Sequence, residues 1–431
     1  MAEIRYRSTR SSGETFSIGE ALENGLAPDG GLFLPLSFPS IEIADLPGDS
    51  FVSCSLEIFS RWLAGTEFEH SFELVLKDAL NFSVPIVELD QDVFVIELFH
   101  GPTLSFKDFG ARTMARLLGQ RLARSGKRIT IMVATSGDTG SAVADGFAGI
   151  EGIDVVLLFP ENQVSEVQEK QLVVERPGVH TFRVRGTFDD CQALVKSAFT
   201  NPELKEVSLS TANSINIGRL LPQMLYYMWA VKTLGSNLIQ MIVPSGNLGN
   251  LTAGVFASLS GMPTAGFLAA HNKNDFFPNF LIDPSVSFKP SVRTVSNAMD
   301  VGAPSNFERL SSLLTRGEMT ALIAAVSVSD SDTRLSMERI YANTGYVADP
   351  HTAVGLEALR HSGSEKRSKG PSLVLSTAHP AKFPEIVSEV LGIDPVVPPQ
   401  LTKLNHFPTS CKTIDPQEDQ FAQVILELGH V

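Results

Sequence analysis

Short, continuous apolar runs, each bounded by turn residues and followed by a stretch of helical period, recur through most of this 431-residue chain. Residues 129–134, 155–159, 179–184, 239–243 and 373–376 are runs of this kind. A strand that is apolar at every position offers water no face and must be covered on both sides. Helical patterns over 189–200, 219–234 and 333–342 alternate with the runs and supply that cover. Such alternation leaves little room for anything but parallel α/β sheets. A chain of this length is also expected to form more than one core. Its texture divides it into a small mixed N-terminal domain over 1–95 and two α/β domains over 96–235 and 236–431. The first part has turns around Pro28-Asp-Gly-Gly31 and helical periodicity over 55–82, and the polar stretch 361–370 reads as an exposed loop.

The charge balance narrows the partners. With 34 Lys and Arg against 48 Asp and Glu, the formal net charge is −14. That speaks against nucleic acid or an anionic membrane surface. Any anionic ligand must be held by a few local groups. Cys54, Cys191 and Cys411 are odd in number, far apart and in no C-x-x-C pair, which argues against a disulfide framework and for a reducing compartment. No run approaches the roughly 18 apolar residues of a membrane span, and the first residues show no apolar signal core. The expectation is a cytoplasmic protein. The nine histidines form no H-x-H or H-E-x-x-H pattern, so no catalytic metal is expected; His100 and His379 draw interest only through their neighbours.

Ligands of parallel α/β sheets sit at the carboxyl ends of strands. Three polar segments fall there: Thr135-Ser-Gly-Asp-Thr-Gly140, Ser245-Gly-Asn-Leu-Gly-Asn250 and Thr377-Ala-His-Pro-Ala-Lys382. The 245–250 turn precedes a helical pattern over 251–259. Glycines there let several N–H groups at a helix start converge on one anion. It lacks the Gly-Lys-Ser/Thr of a nucleotide loop and the third glycine of a dinucleotide fingerprint, and an ordinary tight turn fits it equally. Ser105-Phe-Lys107-Asp-Phe109 sets a lysine between aromatics. Burial there would disfavour its charge and yield the neutral amine of Schiff-base chemistry, unless its stem merely lies over a ring at the surface. Asn213-Ser-Ile-Asn-Ile-Gly-Arg219 combines amide, hydroxyl and guanidinium at a helix entry, with Pro222 in the first turn: a second anion site, or a cap beside a solvated arginine. Met224, Tyr226, Tyr227 and Trp229 read as core.

Taken together these segments resemble the threonine synthases of bacterial and fungal type, which carry an N-terminal extension. The likeness runs through Tyr6-Arg-Ser-Thr-Arg-Ser-Ser12, Gly30-Gly-Leu-Phe-Leu-Pro35, Phe99-His-Gly-Pro-Thr-Leu-Ser-Phe-Lys-Asp-Phe-Gly110 and Ser136-Gly-Asp-Thr-Gly140. It continues through 213–219, 245–250, Ser296-Asn-Ala-Met-Asp300 and Ser376-Thr-Ala-His-Pro-Ala-Lys-Phe383, in order and over nearly the whole chain. The resemblance implies fold type II of the pyridoxal-phosphate enzymes: two parallel-sheet α/β domains with an additional small N-terminal α+β domain. It implies pyridoxal 5'-phosphate as cofactor, bound as a Schiff base on Lys107, with its phosphate held by Gly246, Asn247, Leu248, Gly249 and Asn250. It places Thr377 at the pyridine nitrogen and Asp138 near the phenolic oxygen. It gives Asn213, Ser214 and Arg219 the substrate phosphate, and sets Ser136 and Thr139 near the substrate. Leu248 stands where related loops often show Phe.

The implied reaction makes threonine from O-phosphohomoserine: phosphate leaves the γ-carbon and water adds at the β-carbon. A phospholyase releasing a 2-oxo acid, ammonia and phosphate shares these motifs, whereas a dehydratase of free hydroxyamino acids gains nothing from a second anion site. A non-catalytic sensor has no need of Lys107. One departure stands out, since the wider fold type carries Asn where this chain has Asp138. A carboxylate beside a phenolate-like oxygen repels it, so Asp138 is expected to be protonated or turned elsewhere.

Overall fold

The structure is a computed structural model describing residues 2–11, 13–236, 238–362 and 370–428. Most of the expected loop at 361–370 therefore lies outside the described residues. The strands in chain order are β1 (Tyr6–Ser8), β2 (Phe33–Pro35), β3 (Ile86–Asp90), β4 (Val93–Glu97), β5 (Ile129–Ala134), β6 (Ile153–Pro160) and β7 (Val179–Val184). They continue with β8 (Leu209–Thr211), β9 (Gln240–Pro244), β10 (Phe267–His271), β11 (Ile323–Ser327), β12 (Ser372–Ser376) and β13 (Lys412–Ile414).

The α/β architecture read from the apolar runs is present as two mostly parallel sheets beside a small N-terminal pair. One sheet runs β11-β10-β9-β12-β4-β3, parallel except for β3, which lies antiparallel on β4. The other runs β13-β7-β6-β5-β8 and is parallel throughout. β1 and β2 form the antiparallel pair. Sheet membership is not consecutive along the chain. β13, near the C-terminus, joins the sheet of β5–β8, and the helix Glu418–Leu428 buries Phe421, Ala422 and Ile425 against the same core as Met132 and Val156. Burying a side chain such as Phe421 contributes about 1.5–3 kcal/mol, enough to fasten that end of the chain.

Three local readings need correction. The 55–82 periodicity is two helices, Phe51–Trp62 and Phe72–Ala79, because the chain turns between them through Gly65 at φ +71°. The 219–234 pattern is broken into Ile217–Leu220, a 3-10 turn Leu221–Gln223, and Met224–Leu234. Pro222 sits in that turn rather than in a first α-helical turn, since its ring and missing N–H forbid a continuous ladder. The 179–184 strand is not buried throughout: Val179, His180 and Arg183 are half-exposed, and β13 pairs with only Phe182, Arg183 and Val184.

This topology places the site. β9 and β12 are neighbours, so the loops after Pro244 and Ser376 emerge side by side. β5 and β8 are neighbours in the other sheet, so the loops after Ala134 and Thr211 also emerge together. The helix Lys107–Ser125 follows β4, which pairs with β12. A Cβ at Gly110 would lie 2.4 Å from the Arg219 carbonyl oxygen. Glycine at that position lets the Lys107 helix lie directly against the Arg219 backbone.

Candidate active site

A cavity of about 320 Å³ opens where these loops converge. It is lined by every residue that the sequence singled out for cofactor or substrate: Lys107, Ser136, Asp138, Thr139, Asn213, Ser214, Arg219, Gly246, Asn247, Leu248, Gly249, Asn250 and Thr377.

Lys107 opens its helix, and the segment before it is sewn to the Thr377 loop by backbone bonds. Phe106 N–H donates to the Thr377 carbonyl at 2.9 Å, and His379 N–H to that of Leu104 at 3.0 Å. Asp108 accepts from the Thr103 amide (2.9 Å) and hydroxyl (2.5 Å), closing the helix start. The Lys107 Nζ lies 4.9 Å from the Phe106 ring centroid. Phe109 faces the other way, stacked edge-on to Phe51, Phe82 and Tyr226, because residues two apart on a helix diverge. The lysine therefore has one aromatic neighbour and a charged surround, not two rings. Burial lowers its proton affinity below the ordinary lysine value; Lys382 and Arg219 push the same way and Asp138 pulls back.

Asp138 is the hub of that surround. It is the first residue of the helix Asp138–Phe147, where a negative charge suits the helix dipole. Gly137 before it has φ +128°, and a Cβ there would meet the Gln168 side chain at 2.5 Å. Its Oδ1 receives Lys382 Nζ at 2.9 Å and Gln168 Nε2 at 3.0 Å, and its Oδ2 lies 3.6 Å from Lys107 Nζ. Burial alone would raise this carboxyl, but Lys382, Lys107 and the Gln168 amide hold it well below the usual carboxylate range. Against the expectation of a protonated Asp138 or one turned elsewhere, these contacts favour an ionised carboxylate directed at Lys382, Gln168 and Lys107.

The opposite character appears along 213–219 and 246–250. Arg219 is buried, donates to the Ala212 carbonyl, and leaves Nε without a partner. Among the described residues it has no carboxylate within ion-pair distance. Burial lowers its pKa to about 10, with Asp108 acting against the shift. Asn213 Oδ1 is also buried without a partner. The Asn250 Oδ1 accepts from the Tyr226 hydroxyl (2.6 Å) and the Tyr227 hydroxyl (2.8 Å), while its Nδ2 has no acceptor. The two tyrosines are core residues, as read, yet their hydroxyls aim this amide. Leu248 holds φ +59° at the start of the helix Gly249–Leu259, and a Cβ at Gly246 would stand 2.8 Å from Met299 Cα. Among the described residues, the N–H groups of 246–250 donate to no protein acceptor. Ser214 Oγ accepts from Asn247 Nδ2 at 2.7 Å, tying the two segments together.

Sequence reasoning missed several supporting groups. Lys382 was visible in the quoted segment, but its burial and its bond to Asp138 were not. Arg309, also buried, donates to the carbonyls of Phe33 (3.0 Å), Ser214 (3.2 Å) and Ile215, so it joins the N-terminal part to the 213–219 segment. His351 lines the cavity where His100 and His379 do not. Its Nδ1 bonds Asp349 at 2.7 Å and its Nε2 accepts from Ala298 N–H at 3.1 Å, which fixes the loop lying over Gly246. The signal for Lys382 was the aspartate itself: a buried carboxylate in place of an amide requires a cation nearby.

Known proteins match the chain from end to end. Family models described as threonine synthase N terminus, pyridoxal-phosphate dependent enzyme, and threonine synthase C-terminal match residues 5–79, 80–377 and 352–425. The threonine synthase of Serratia marcescens is 39% identical over 95% of this chain and 96% of its own length. A pyridoxal-phosphate-bound threonine synthase structure from Brucella melitensis superposes with a TM-score of 0.93 at 32% identity, covering 100% of both chains. The Escherichia coli enzyme's structure gives 0.91 at 37%, covering 98% and 99%. An identity that holds through both ends as well as the cofactor-binding region leaves one conclusion: the chain belongs to the threonine synthases, a family of pyridoxal-phosphate-dependent enzymes.

Proposed function

We propose that this enzyme takes O-phospho-L-homoserine and water to L-threonine and phosphate, in the cytoplasm, with Lys107 as the amine that anchors the cofactor and moves protons at the substrate. The observation that carries the substrate is Arg219, a buried guanidinium with no carboxylate partner among the described residues. A buried charge of that kind is costly until an anion meets it. Two or three charge-assisted bonds from Arg219, Asn213 and Ser214 to a phosphate, at roughly 1.5–3 kcal/mol each, supply that anion's affinity and separate it from free homoserine. Ser136 and Thr139 border the same space and contact the rest of the substrate.

The chain's own groups fit pyridoxal phosphate. Gly246, Asn247, Leu248, Gly249 and Asn250 present unpaired N–H groups at a helix start, the arrangement that holds a phosphate. The unpaired Asn250 amide offers a further donor. When bound, the cofactor supplies an electron sink for carbanions at the substrate. Lys107, with its lowered proton affinity, takes and returns protons at the substrate's carbons. Thr377 would offer the ring nitrogen a hydroxyl rather than a carboxylate, a partner that would not hold a proton there. Asp138, ionised, steadies the Lys107 amine.

The test is product identity. Phosphohomoserine should yield threonine and phosphate in equal amounts; release of 2-oxobutyrate and ammonia would make the chain a phospholyase. The visible absorbance of the cofactor-loaded protein should disappear in Lys107→Ala.

A further inference from the structure

Lys382 is fully buried, and nothing in the reaction as proposed uses it. It stands at the end of the 3-10 turn Pro380–Lys382, after β12 in one sheet, and reaches Asp138, after β5 in the other. Its Nζ donates to Asp138 Oδ1 at 2.9 Å and to the Thr103 carbonyl at 2.8 Å. The far oxygen of the same carboxylate faces Lys107 Nζ at 3.6 Å. One carboxylate therefore sits between two lysines, with the Gln168 amide as its second hydrogen-bond donor beside Lys382. The charged groups acting on Lys107 are Asp138, Lys382 and Arg219, and beyond them Asp108 and His379 also sense Lys382.

We propose that Lys382 is a positioning residue whose ammonium offsets Asp138, so that Lys107 faces a hydrogen-bond acceptor with no net charge beside it. The inference rests on Lys107 being the reactive amine. Its physical content is a charge count. An aspartate alone at 3.6 Å would hold the proton on Lys107 and oppose the neutral amine that the chemistry needs. A lone lysine would do the reverse. Paired, the two act on Lys107 much as a neutral amide would, while the ion pair also ties the two sheets together across the site. The pair thus explains how a carboxylate is tolerated beside this amine.

The test is a pH titration of the visible band of the full-length, cofactor-loaded protein, with the pH profile of kcat/KM measured beside it. Lys382→Met leaves Asp138 uncompensated and should move the midpoint up by about 1 pH unit or more. Asp138→Asn leaves Lys382 uncompensated and should move it down by a similar amount. The double variant Asp138→Asn with Lys382→Met removes both charges and should return to within about half a unit of the parent. Shifts in the same direction, no shift in either single variant, or a double variant that fails to return would each overturn the proposal. Should Lys382→Met alone not fold, the downward shift of Asp138→Asn and its reversal in the double variant carry the same decision. The underlying reading of Lys107 fails separately, by persistence of the band in Lys107→Ala.

Discussion

The two sides of the cavity treat charge in opposite ways. Around Lys107 every charge is met within the protein: Asp138 binds Lys382 and Gln168 and faces Lys107. Around Arg219 the protein leaves charge and polarity open, with Arg219 Nε, Asn213 Oδ1 and Asn250 Nδ2 buried and unpartnered. Unpartnered buried polar atoms occur elsewhere in the chain, such as the Tyr6 hydroxyl and Trp62 Nε1, but these three line one cavity and include a guanidinium, which is where ligand atoms would complete the structure. Under the proposed function, the closed side would manage a proton and the open side would receive anions. Stability is given up on the second side and kept on the first.

That contrast is most easily broken by kinetics. Arg219→Ala should lower kcat/KM for phosphohomoserine by two to four powers of ten, about 3–5 kcal/mol, with the visible band intact. Loss of the band instead would move Arg219 to the cofactor. The complementary measurement is the stability of the chain without ligands. Lys382→Met breaks a buried ion pair and leaves Asp138 with only Gln168 and, at 3.6 Å, Lys107, and should cost about 3 kcal/mol in denaturant unfolding, the low end for such a loss. Arg219→Met removes a charge the protein does not compensate and should leave stability unchanged or raised. Equal losses in both variants would erase the distinction between the two sides.

Asp108 lies between the two regimes, hydrogen-bonded by Thr103 but paired to no cation within ion-pair distance among the described residues. Burial, the largest influence, raises its pKa to about 6. A raised carboxyl binds its proton more tightly in the folded state, so its contribution is complete below about pH 4 and is lost as pH rises through 6. The parent should thus lose on the order of 3 kcal/mol between pH 4 and 7 that Asp108→Asn does not lose. Parallel stability curves for the two proteins would show that Asp108 is ionised throughout.

What the chain revealed in advance follows the same division. Strands β5, β6, β9 and β12 were legible because each is dominated by a short apolar run, and the loops after β5, β9 and β12 were legible because glycine and small polar residues mark them. β10 and β11 were not. Phe267-Leu-Ala-Ala-His271 is built on alanine, the strongest helix former, and β11 continues from the helix Arg316–Leu322 through Leu322-Ile-Ala-Ala-Val326 with no turn residue between. β13 has two exposed residues in three and no pattern to read. In the site, Arg219 and the 246–250 turn could be found because each is local in sequence. The Asp138–Lys382 pair was not legible as a pair: the aspartate called for a cation, but its partner follows a strand of the other sheet and only the fold brings the two together.

The smallest expected effect tests whether the open side is organised by the protein or by its ligand. Asn250 Oδ1 has two hydroxyl donors, Tyr226 and Tyr227, so the amide is oriented before anything binds. Tyr226→Phe removes one donor and leaves Oδ1 satisfied by the other, with no buried group newly stranded. Such a change costs about 1 kcal/mol or less in stability and should weaken cofactor binding by a factor of roughly five at most. Asn250→Ala instead leaves the Tyr226 hydroxyl without its acceptor, Tyr227 keeping the Asn250 backbone carbonyl at 3.0 Å, and should weaken stability and cofactor retention more than Tyr226→Phe does. A loss in Tyr226→Phe as large as that in Asn250→Ala would mean that one hydroxyl alone sets the amide. The open side would then depend on a single internal bond, and its readiness for an anion would be less a built feature than a consequence of occupancy.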